Sequence, residues 1–183
     1  MDEFKDPSAH PGGAAADQLT EEERLLLEEA DRQYIGTYSH TVDGKGRLVI
    51  PQSFRTLLGD TFFIAPPRAL RAVGLYSKIA WARPRRRYAQ LDPVNNDVLR
   101  FLEQFTALSF RDQECDNQGR LLLPNTLRSL FLDDAKDLIV SGEIDHVRIM
   151  SAEKYYERFR QVQSDMADMM KTMDQLRTRE LSL

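Results

Sequence analysis

The chain has almost no material for covalent cross-links or for a metal cage built from thiols and imidazoles. Among its 183 residues there is one cysteine, Cys115, and there are three histidines. A single thiol cannot form an internal disulfide, which fits a reducing compartment. So few scattered ligands exclude the common zinc cages, and we expect no metal and no other cofactor.

Long apolar runs are also missing. No segment approaches the roughly 20 consecutive apolar residues that cross a bilayer, and the acidic start at Met1–Glu3 predicts no secretory signal peptide. Apolar residues make up 42% of the chain and charged residues 30%, as in globular water-soluble proteins. We therefore expect a cytoplasmic protein with no membrane partner.

No catalytic fingerprint is present. The chain has no nucleophile–base pair and no metal-ligand spacing, and Gly44–Gly46 is too short for a phosphate-binding loop. The sequence predicts a protein that is not an enzyme and has no small-molecule substrate.

The formal net charge of −4 hides an uneven distribution. Residues 1–34 carry ten acidic and three basic side chains, whereas residues 35–109 carry 11 basic and five acidic ones. Residues 110–183 are again acidic, with 14 acidic against 11 basic side chains. The basic first half is compatible with a nucleic-acid partner, which the overall charge would not suggest.

One segment of the chain occurs twice. Residues 43–58 read DGKGRLVIPQSFRTLL and residues 116–131 read DNQGRLLLPNTLRSLF, so seven of sixteen positions are identical at a constant offset of 73. Such self-similarity indicates a tandem duplication of one small unit.

Each copy begins with a predicted hairpin turn. Aspartate at the first position and glycine at the fourth favour a type I turn followed by a left-handed residue. Gly46 and Gly119 suit the left-handed position because they lack a Cβ. The carboxylates of Asp43 and Asp116 are expected to accept hydrogen bonds from backbone amides two or three residues later.

A short strand and a helix follow each turn. Alternation predicts that Leu48 and Ile50 face one way and that Arg47 and Val49 face the other. Pro51 suits the start of a two-turn helix. The apolar face of this helix is predicted to contain Phe54, Leu57 and Leu58, repeated in the second copy by Leu127, Leu130 and Phe131. Later strands are predicted at Thr61–Ile64, Val73–Tyr76, Leu138–Ser141 and His146–Met150.

The residues of both copies resemble the MraZ family of bacterial transcriptional regulators, which are built from tandem AbrB-type units. The segments 43–51 and 116–124 carry the resemblance, and Tyr76, Trp81 and residues 180–183 are similar as well. It covers about residues 34–183. Two Asp-x-x-Gly-Arg motifs in register, each leading into an apolar strand and a proline, make it fairly specific.

The resemblance implies a mainly β fold with short helices (α+β). Two tandem AbrB/SpoVT-like swapped-hairpin units would form a pseudo-twofold double barrel with a C-terminal amphipathic helix. The predicted parts are an acidic, largely disordered extension with a short helix (1–33), a first unit (34–91), a connecting helix (92–109), a second unit (110–150) and the C-terminal helix (151–183).

The resemblance also implies a function. The family's members bind double-stranded DNA at short direct repeats upstream of the division and cell-wall gene cluster, including their own promoter, and they form ring-like homo-oligomers. The protein would be associated with the nucleoid. Carried over position by position, the DNA-facing residues are Asp43, Lys45, Arg47, Asp116 and Arg120.

The chain departs from the family pattern in several places. The acidic extension lies outside it, and Gln118 stands where the first copy has Lys45. Pro84 falls inside the expected helix after Trp81, which predicts a kink or a later start. Residues 106–111 lack the small residues expected before the second turn.

Two interpretations of Arg47 and Arg120 remain open from the sequence. A guanidinium can donate two hydrogen bonds to guanine in the major groove, which admits a two-stranded ribbon, while Lys45 suits a phosphate. Alternatively, each arginine pairs with its own Asp43 or Asp116 and only locks the turn.

The roles of the other basic groups also remain open from the sequence. Arg55 and Arg128 either brace the fold or contact DNA. The stretch Thr61–Leu91 has seven cations and no carboxylate, which indicates either a phosphate-tracking patch or a surface that receives the acidic extension.

The C-terminal segment has heptad spacing. The positions are Tyr155, Phe159, Val162, Met166, Met169, Met173 and Leu176. This pattern is typical either of an amphipathic helix on its own domain or of an intersubunit coiled coil.

Cys115 is interpreted as a small buried residue in a strand. A protein-interaction scaffold that keeps the fold without reading DNA is the alternative function.

Overall fold

The computed structural model describes residues 33–67, 71–91 and 95–180. Residues 1–32 of the acidic extension, with its predicted short helix, lie outside these ranges, as does Arg68 of the basic stretch. From Tyr34 onward the described residues cluster as one unit.

Eight strands and five helices make up the described chain. The strands are β1 (Thr37–Thr41), β2 (Arg47–Val49), β3 (Phe62–Ala65), β4 (Val73–Tyr76), β5 (Phe110–Gln113), β6 (Arg120–Leu122), β7 (Asp137–Gly142) and β8 (Val147–Ser151). The helices are α1 (Gln52–Leu58), α2 (Lys78–Ala89), α3 (Asn96–Ala107), α4 (Asn125–Phe131) and α5 (Ala152–Glu180). Helices α2, α3 and α5 together are longer than all strands, so the class is α+β and not mainly β.

The two copies of the duplicated segment adopt the same local structure. Helices α1 and α4 are separated by the 73-residue offset at both ends, and each follows directly on a proline, as predicted. Phe54 and Leu58 of α1 are buried, and so are Leu127 and Phe131 of α4.

The predicted apolar face holds in α1, where Leu57 is half-buried and packs against the core beside Phe54 and Leu58. In α4 the predicted face is too wide, because Leu130 is 57% exposed. In a helix of two turns, positions i and i+4 already cover the contact with the core, and the i+3 residue points to the side.

Six strands form one antiparallel sheet in the order β1-β7-β8-β4-β3-β5. The first strand of each copy pairs with the third strand of the other copy, β1 with β7 and β5 with β3, and β4 pairs with β8 at the centre. If each strand is replaced by its equivalent in the other copy, the strand order is the same sequence read from the opposite edge. The sheet therefore has an approximate twofold symmetry that relates the two copies.

The remaining strands, β2 and β6, form a separate two-stranded antiparallel ribbon. Leu48 lies opposite Leu121, Arg47 opposite Leu122 and Val49 opposite Arg120. Consequently the strands that flank the Asp43–Gly46 turn do not pair with each other, because β1 joins the large sheet and β2 joins the ribbon. The predicted simple hairpin is wrong in this respect.

The core lies between the ribbon and the large sheet. Leu48 and Leu121 on the inner side of the ribbon are fully buried in one cluster with Ile64, Leu75 and Val140 of the sheet. Burying a side chain of this size contributes about 1.5–3 kcal/mol. This packing anchors the ribbon and fixes which of its faces points outward.

Helices α2 and α3 build a smaller aromatic cluster on the sheet. The indole of Trp81 stacks between Phe63 and Phe105, at centroid distances of 4.9 and 5.4 Å. The side chain of Asn95 caps α3 by accepting hydrogen bonds from two backbone amides. Helix α2 begins at Lys78 and continues past Pro84, so the later start is wrong, and a kink at Pro84 stays a prediction.

Candidate nucleic-acid interface

The first turn is organised by the carboxylate of Asp43. Its Oδ1 accepts hydrogen bonds from the backbone amides of Lys45 and Arg47, both at 2.9 Å. Its Oδ2 accepts from the Arg47 side chain, with Nε and Nη2 each at 2.7 Å. One carboxylate therefore fixes both the turn and the arginine behind it. The amides that donate lie two and four residues later.

The second turn repeats this arrangement atom for atom. Asp116 Oδ1 accepts from the amides of Gln118 and Arg120 at 3.0 and 2.9 Å. Its Oδ2 accepts from Arg120 Nε at 2.8 Å and lies 2.7 Å from Nη2. The duplication thus preserves a side-chain geometry as well as a sequence pattern.

Both turns end on a left-handed glycine, as predicted. Gly46 has φ 81° and Gly119 has φ 74°, a region that L side chains adopt only with strain. The amide of Gly46 donates to the carbonyl of Asp43 at 2.9 Å, and Gly119 donates to Asp116 at 2.7 Å.

The ribbon presents one outward face, made by Arg47, Val49, Arg120 and Leu122, which we call the ribbon face. The strand register places these four side chains on the side opposite the buried Leu48 and Leu121. The two arginine side chains are about a quarter exposed, at 27% and 26%. Neither arginine is turned into the core.

The two turns come together at the ribbon face. Arg47 Nη1 lies 4.0 Å from Asp116 Oδ2 of the other turn. Each arginine donates from Nε and from one Nη2 hydrogen to its own aspartate. This contact occupies two of the five guanidinium N–H groups. The opposite edge, formed by Nη1 and the second Nη2 hydrogen, stays directed away from that carboxylate. In Arg47 this edge also faces Asp116 across the 4.0 Å to its Oδ2, and the N–H groups that neither aspartate takes up remain as donors for a ligand.

The carboxylates are held in the ionised form. The pKa of Asp43 is lowered to about 2, mainly because the backbone amide of Arg47 donates to it. The pKa of Asp116 is also lowered to about 2, mainly because the Arg120 side chain donates to it. Both turns therefore keep their geometry at neutral pH.

Lys45 and Gln118 occupy equivalent positions at the tips of the two turns, and both are exposed. Their backbone amides hold the aspartates, so their side chains are left to solvent. The first turn therefore carries a cation at its tip and the second turn a neutral amide.

Arg55 and Arg128 each pack against the glycine of the turn in the other copy. A Cβ placed on Gly119 would lie 2.6 Å from Cζ of Arg55, and one placed on Gly46 would lie 2.5 Å from Nη1 of Arg128. Arg55 Nε also donates to the carbonyl of Ile50 at 3.1 Å. The bracing role of these arginines was one of the two open alternatives. That each reaches the turn of the opposite copy was not predicted.

Cys115 lies just after β5 and not within a strand. It is half-buried against the main core, and burial raises the pKa of its thiol to about 11. The thiolate is therefore scarce at neutral pH, which favours a packing role.

The described residues contain no group of three histidine, cysteine or acidic side chains placed to hold a metal ion. Among these residues, no helix combines the length and apolarity that a bilayer crossing requires.

Helix α5 contacts β7 and β8 near its start and then leaves the body of the protein. At about 1.5 Å per residue its 29 residues span about 43 Å. The larger apolar side chains of its heptad stripe are exposed, namely Phe159, Met166, Met169, Met173 and Leu176. Of the two alternatives for this stripe, the one in which these five side chains lie on their own domain is therefore wrong, and the intersubunit coiled coil stays a prediction.

The basic stretch is described only in part. Arg71, Lys78 and Arg86 are exposed. Whether this surface receives the acidic extension remains a prediction, since the extension lies outside the described residues.

Comparison with known proteins identifies similar chains. A family model described as "MraZ protein, putative antitoxin-like" matches residues 34–91. "Transcriptional regulator MraZ" of Leuconostoc mesenteroides is 36% identical over 124 residues, which is 67% of this chain and 83% of that relative.

Two further relatives carry the same name. The protein of Limosilactobacillus fermentum is 35% identical over 123 residues, covering 67% of this chain and 83% of the relative. That of Dictyoglomus thermophilum is 31% identical over 124 residues, covering 68% and 83%. The name denotes a regulator and not an enzyme, in agreement with the prediction from the sequence.

Proposed function

This chain belongs to the MraZ family, and from that premise we propose that it is a transcriptional regulator that binds double-stranded DNA sequence-specifically through the ribbon face. The observation that carries the proposal is the pair of Asp–Arg turns meeting on one outward surface. The major groove admits a two-stranded ribbon, and an arginine edge can donate two hydrogen bonds to guanine O6 and N7.

In this proposal Arg47 and Arg120 read guanines, and Asp43 and Asp116 are positioning residues. Each aspartate holds the Nε side of its arginine at 2.7–2.8 Å, so little side-chain entropy is lost when the free edge binds a base. Lys45 contacts a phosphate as a point charge. Gln118, at the equivalent position of the second turn, carries no charge to offer a phosphate. The two turns therefore differ in how strongly they contact the DNA backbone.

One chain offers a single reading surface and not two separate ones. The 4.0 Å between Arg47 Nη1 and Asp116 Oδ2 is far shorter than a helical turn of DNA, about 34 Å. We therefore assign one short DNA element to each chain, read by both turns together.

The proposed architecture is the family's tandem swapped-hairpin double barrel. Its support is the strand order, which is unchanged when the copies are exchanged, and the ribbon register, in which Leu48 pairs with its own equivalent, Leu121. The units would be residues 34–91 and 110–150, linked by residues 92–109.

Assembly would multiply the contacts of single chains. A ring-like homo-oligomer on short direct repeats would raise the effective concentration of each ribbon face. The repeats would lie upstream of the division and cell-wall gene cluster, including the protein's own promoter, and the protein would be cytoplasmic and nucleoid-associated. The exposed stripe of α5 supports contact with a second copy.

A scaffold that binds protein through α5 is the second candidate function, favoured by the same exposed stripe. Titration against DNA separates the two functions. The protein is titrated at several salt concentrations against a fragment protected in footprinting of its own upstream region and against a shuffled fragment.

The regulator is expected to prefer the protected fragment, and log K should fall with log salt by about 0.9 for each phosphate contacted. A shallow salt dependence with no preference for the fragment would reject the proposal and favour the scaffold.

A further inference from the structure

Val49 and Leu122 are large aliphatic side chains that the fold leaves in solvent. They are 40% and 59% exposed, whereas their strand neighbours Leu48 and Leu121 are fully buried. The inner side of the ribbon therefore packs the core without them. Both copies of the duplicated segment nevertheless carry an aliphatic residue at this position.

These two side chains alternate with the arginines on the ribbon face. Leu122 lies directly opposite Arg47, and Val49 lies directly opposite Arg120. Directly opposed residues have Cβ atoms about 4.5–5.5 Å apart, so each aliphatic group lies beside one guanidinium. On the ribbon face, two guanidinium groups therefore alternate with two apolar side chains, both along each strand and across the ribbon.

We infer that Val49 and Leu122 are specificity-determining residues that contact the C5-methyl groups of thymines within about two base steps of the guanines read by Arg47 and Arg120. This inference rests on the proposed function. The thymine methyl is the apolar group on the major-groove edges of the bases, and aliphatic contact with it is an established form of readout.

The spacing of the outward side chains along one strand of the ribbon matches about two base steps of DNA. Residues 47 and 49 lie about 7 Å apart along the strand, and successive bases of one DNA strand are about 3.4 Å apart along the helix axis. An arginine and the next outward aliphatic residue of the same strand are therefore about two base steps apart. Such a face selects elements that combine guanine with thymine.

The charge around the aliphatic pair favours DNA over an apolar protein surface. An apolar partner covering Val49 and Leu122 would also cover Arg47 and Arg120 and remove their guanidinium groups from water without new acceptors, which is costly. A DNA groove offers acceptors to the arginines and methyl groups to the aliphatic residues at the same time.

Replacement of thymine by deoxyuridine tests the inference because it removes only the methyl group. Each thymine of the footprinted fragment is replaced in turn, and affinities are measured for the wild-type chain, Val49→Ala and Leu122→Ala. We expect the wild-type chain to lose about four-fold in affinity at one or two thymines, the value of one buried methyl-sized group. Each variant should lose affinity for unmodified DNA and become insensitive to deoxyuridine at one of those thymines.

Leu130→Ala is the matched control, since Leu130 is an equally exposed leucine, at 57%, on α4. It should keep both the affinity and the deoxyuridine sensitivity of the wild-type chain. The inference is overturned if the alanine variants bind like the wild-type chain, or if they stay sensitive at every thymine. It is also overturned if Leu122→Ala changes only the association of copies in sedimentation. A wild-type chain that protects no DNA would instead refute the proposed function, and the inference with it.

Discussion

Gly46 lies directly against the guanidinium of Arg128, a residue of the other copy of the duplicated segment. A Cβ on Gly46 would come within 2.5 Å of Arg128 Nη1. The turn needs glycine for its left-handed φ of 81°, and the end of the Arg128 side chain would in addition have to shift to admit a Cβ. Through this contact, the helix of one copy supports the turn of the other.

Replacing Gly46 by alanine should destabilise the protein by about 1–3 kcal/mol, because both the backbone strain and the contact with Arg128 oppose a Cβ. Denaturant unfolding monitored by circular dichroism measures the loss. Gly44→Ala is the control from the same turn, since a Cβ there meets nothing within 4 Å, and it should change stability by less than about 0.5 kcal/mol. Equal effects of the two substitutions would contradict the strained left-handed position of Gly46.

Replacing Arg55 by alanine should lower stability and leave DNA affinity unchanged. Its Nε donates to the Ile50 carbonyl, and its guanidinium supports Gly119, so removal should cost about 1–3 kcal/mol. Arg111→Ala, whose side chain is 79% exposed, should cost less than about 0.5 kcal/mol. A loss of DNA affinity in folded Arg55→Ala protein, without a loss of stability, would instead assign Arg55 to the interface.

Local patterns predicted the elements of the fold well. The spacing of Phe54 and Leu58, the prolines before the helices and the Asp-x-x-Gly turns are signals within a few residues of each other. The structure confirms the helices, the turns and the strands of the duplicated segment, with small shifts at their ends. The expected later start of α2 was wrong, because the helix accommodates Pro84 in its interior.

The strand pairings and side-chain contacts that join one copy of the duplicated segment to the other could not be predicted from these local patterns. Nothing in the local sequence states that β1 pairs with β7 or that Arg55 reaches Gly119, because these contacts join segments more than sixty residues apart. The sequence shows that the turn glycine and the helix arginine both recur at the constant offset of 73 residues. It does not show that each glycine contacts the arginine of the other copy. The outward direction of Arg47 and Val49 did follow from alternation.

Acid should weaken the turns over a defined range. The folded pKa of Asp43 and Asp116 is about 2, below their ordinary value of 3.8. An unfolded chain therefore binds more protons than the folded one between these values, so the stabilisation is complete above about pH 4 and is lost as the pH falls through about 2. Carboxyl carbon NMR titration should give midpoints near 2 for both residues. Midpoints near 3.8 would contradict the hydrogen-bonded turns.

A charge in the stripe of α5 should weaken self-association. Met169→Glu places a carboxylate in the exposed heptad stripe and should raise the dissociation constant of the oligomer by about tenfold or more, since an unpaired charge is costly to bury. Analytical ultracentrifugation measures this. Gln175→Glu adds the same charge to the same helix outside the stripe and should have little effect. An unchanged assembly in Met169→Glu would exclude the stripe from the interface between copies.

The affinities of Arg47→Ala and Arg120→Ala for the footprinted fragment and for a shuffled fragment, at fixed salt, test the central claim most directly. Each substitution should cost about 1–3 kcal/mol on the footprinted fragment, or about 5–150-fold in affinity, and should reduce the preference over the shuffled one. Arg111→Ala controls for the loss of a surface arginine and should bind normally. If both turn variants bind the two fragments as the wild-type chain does, the ribbon face does not read DNA.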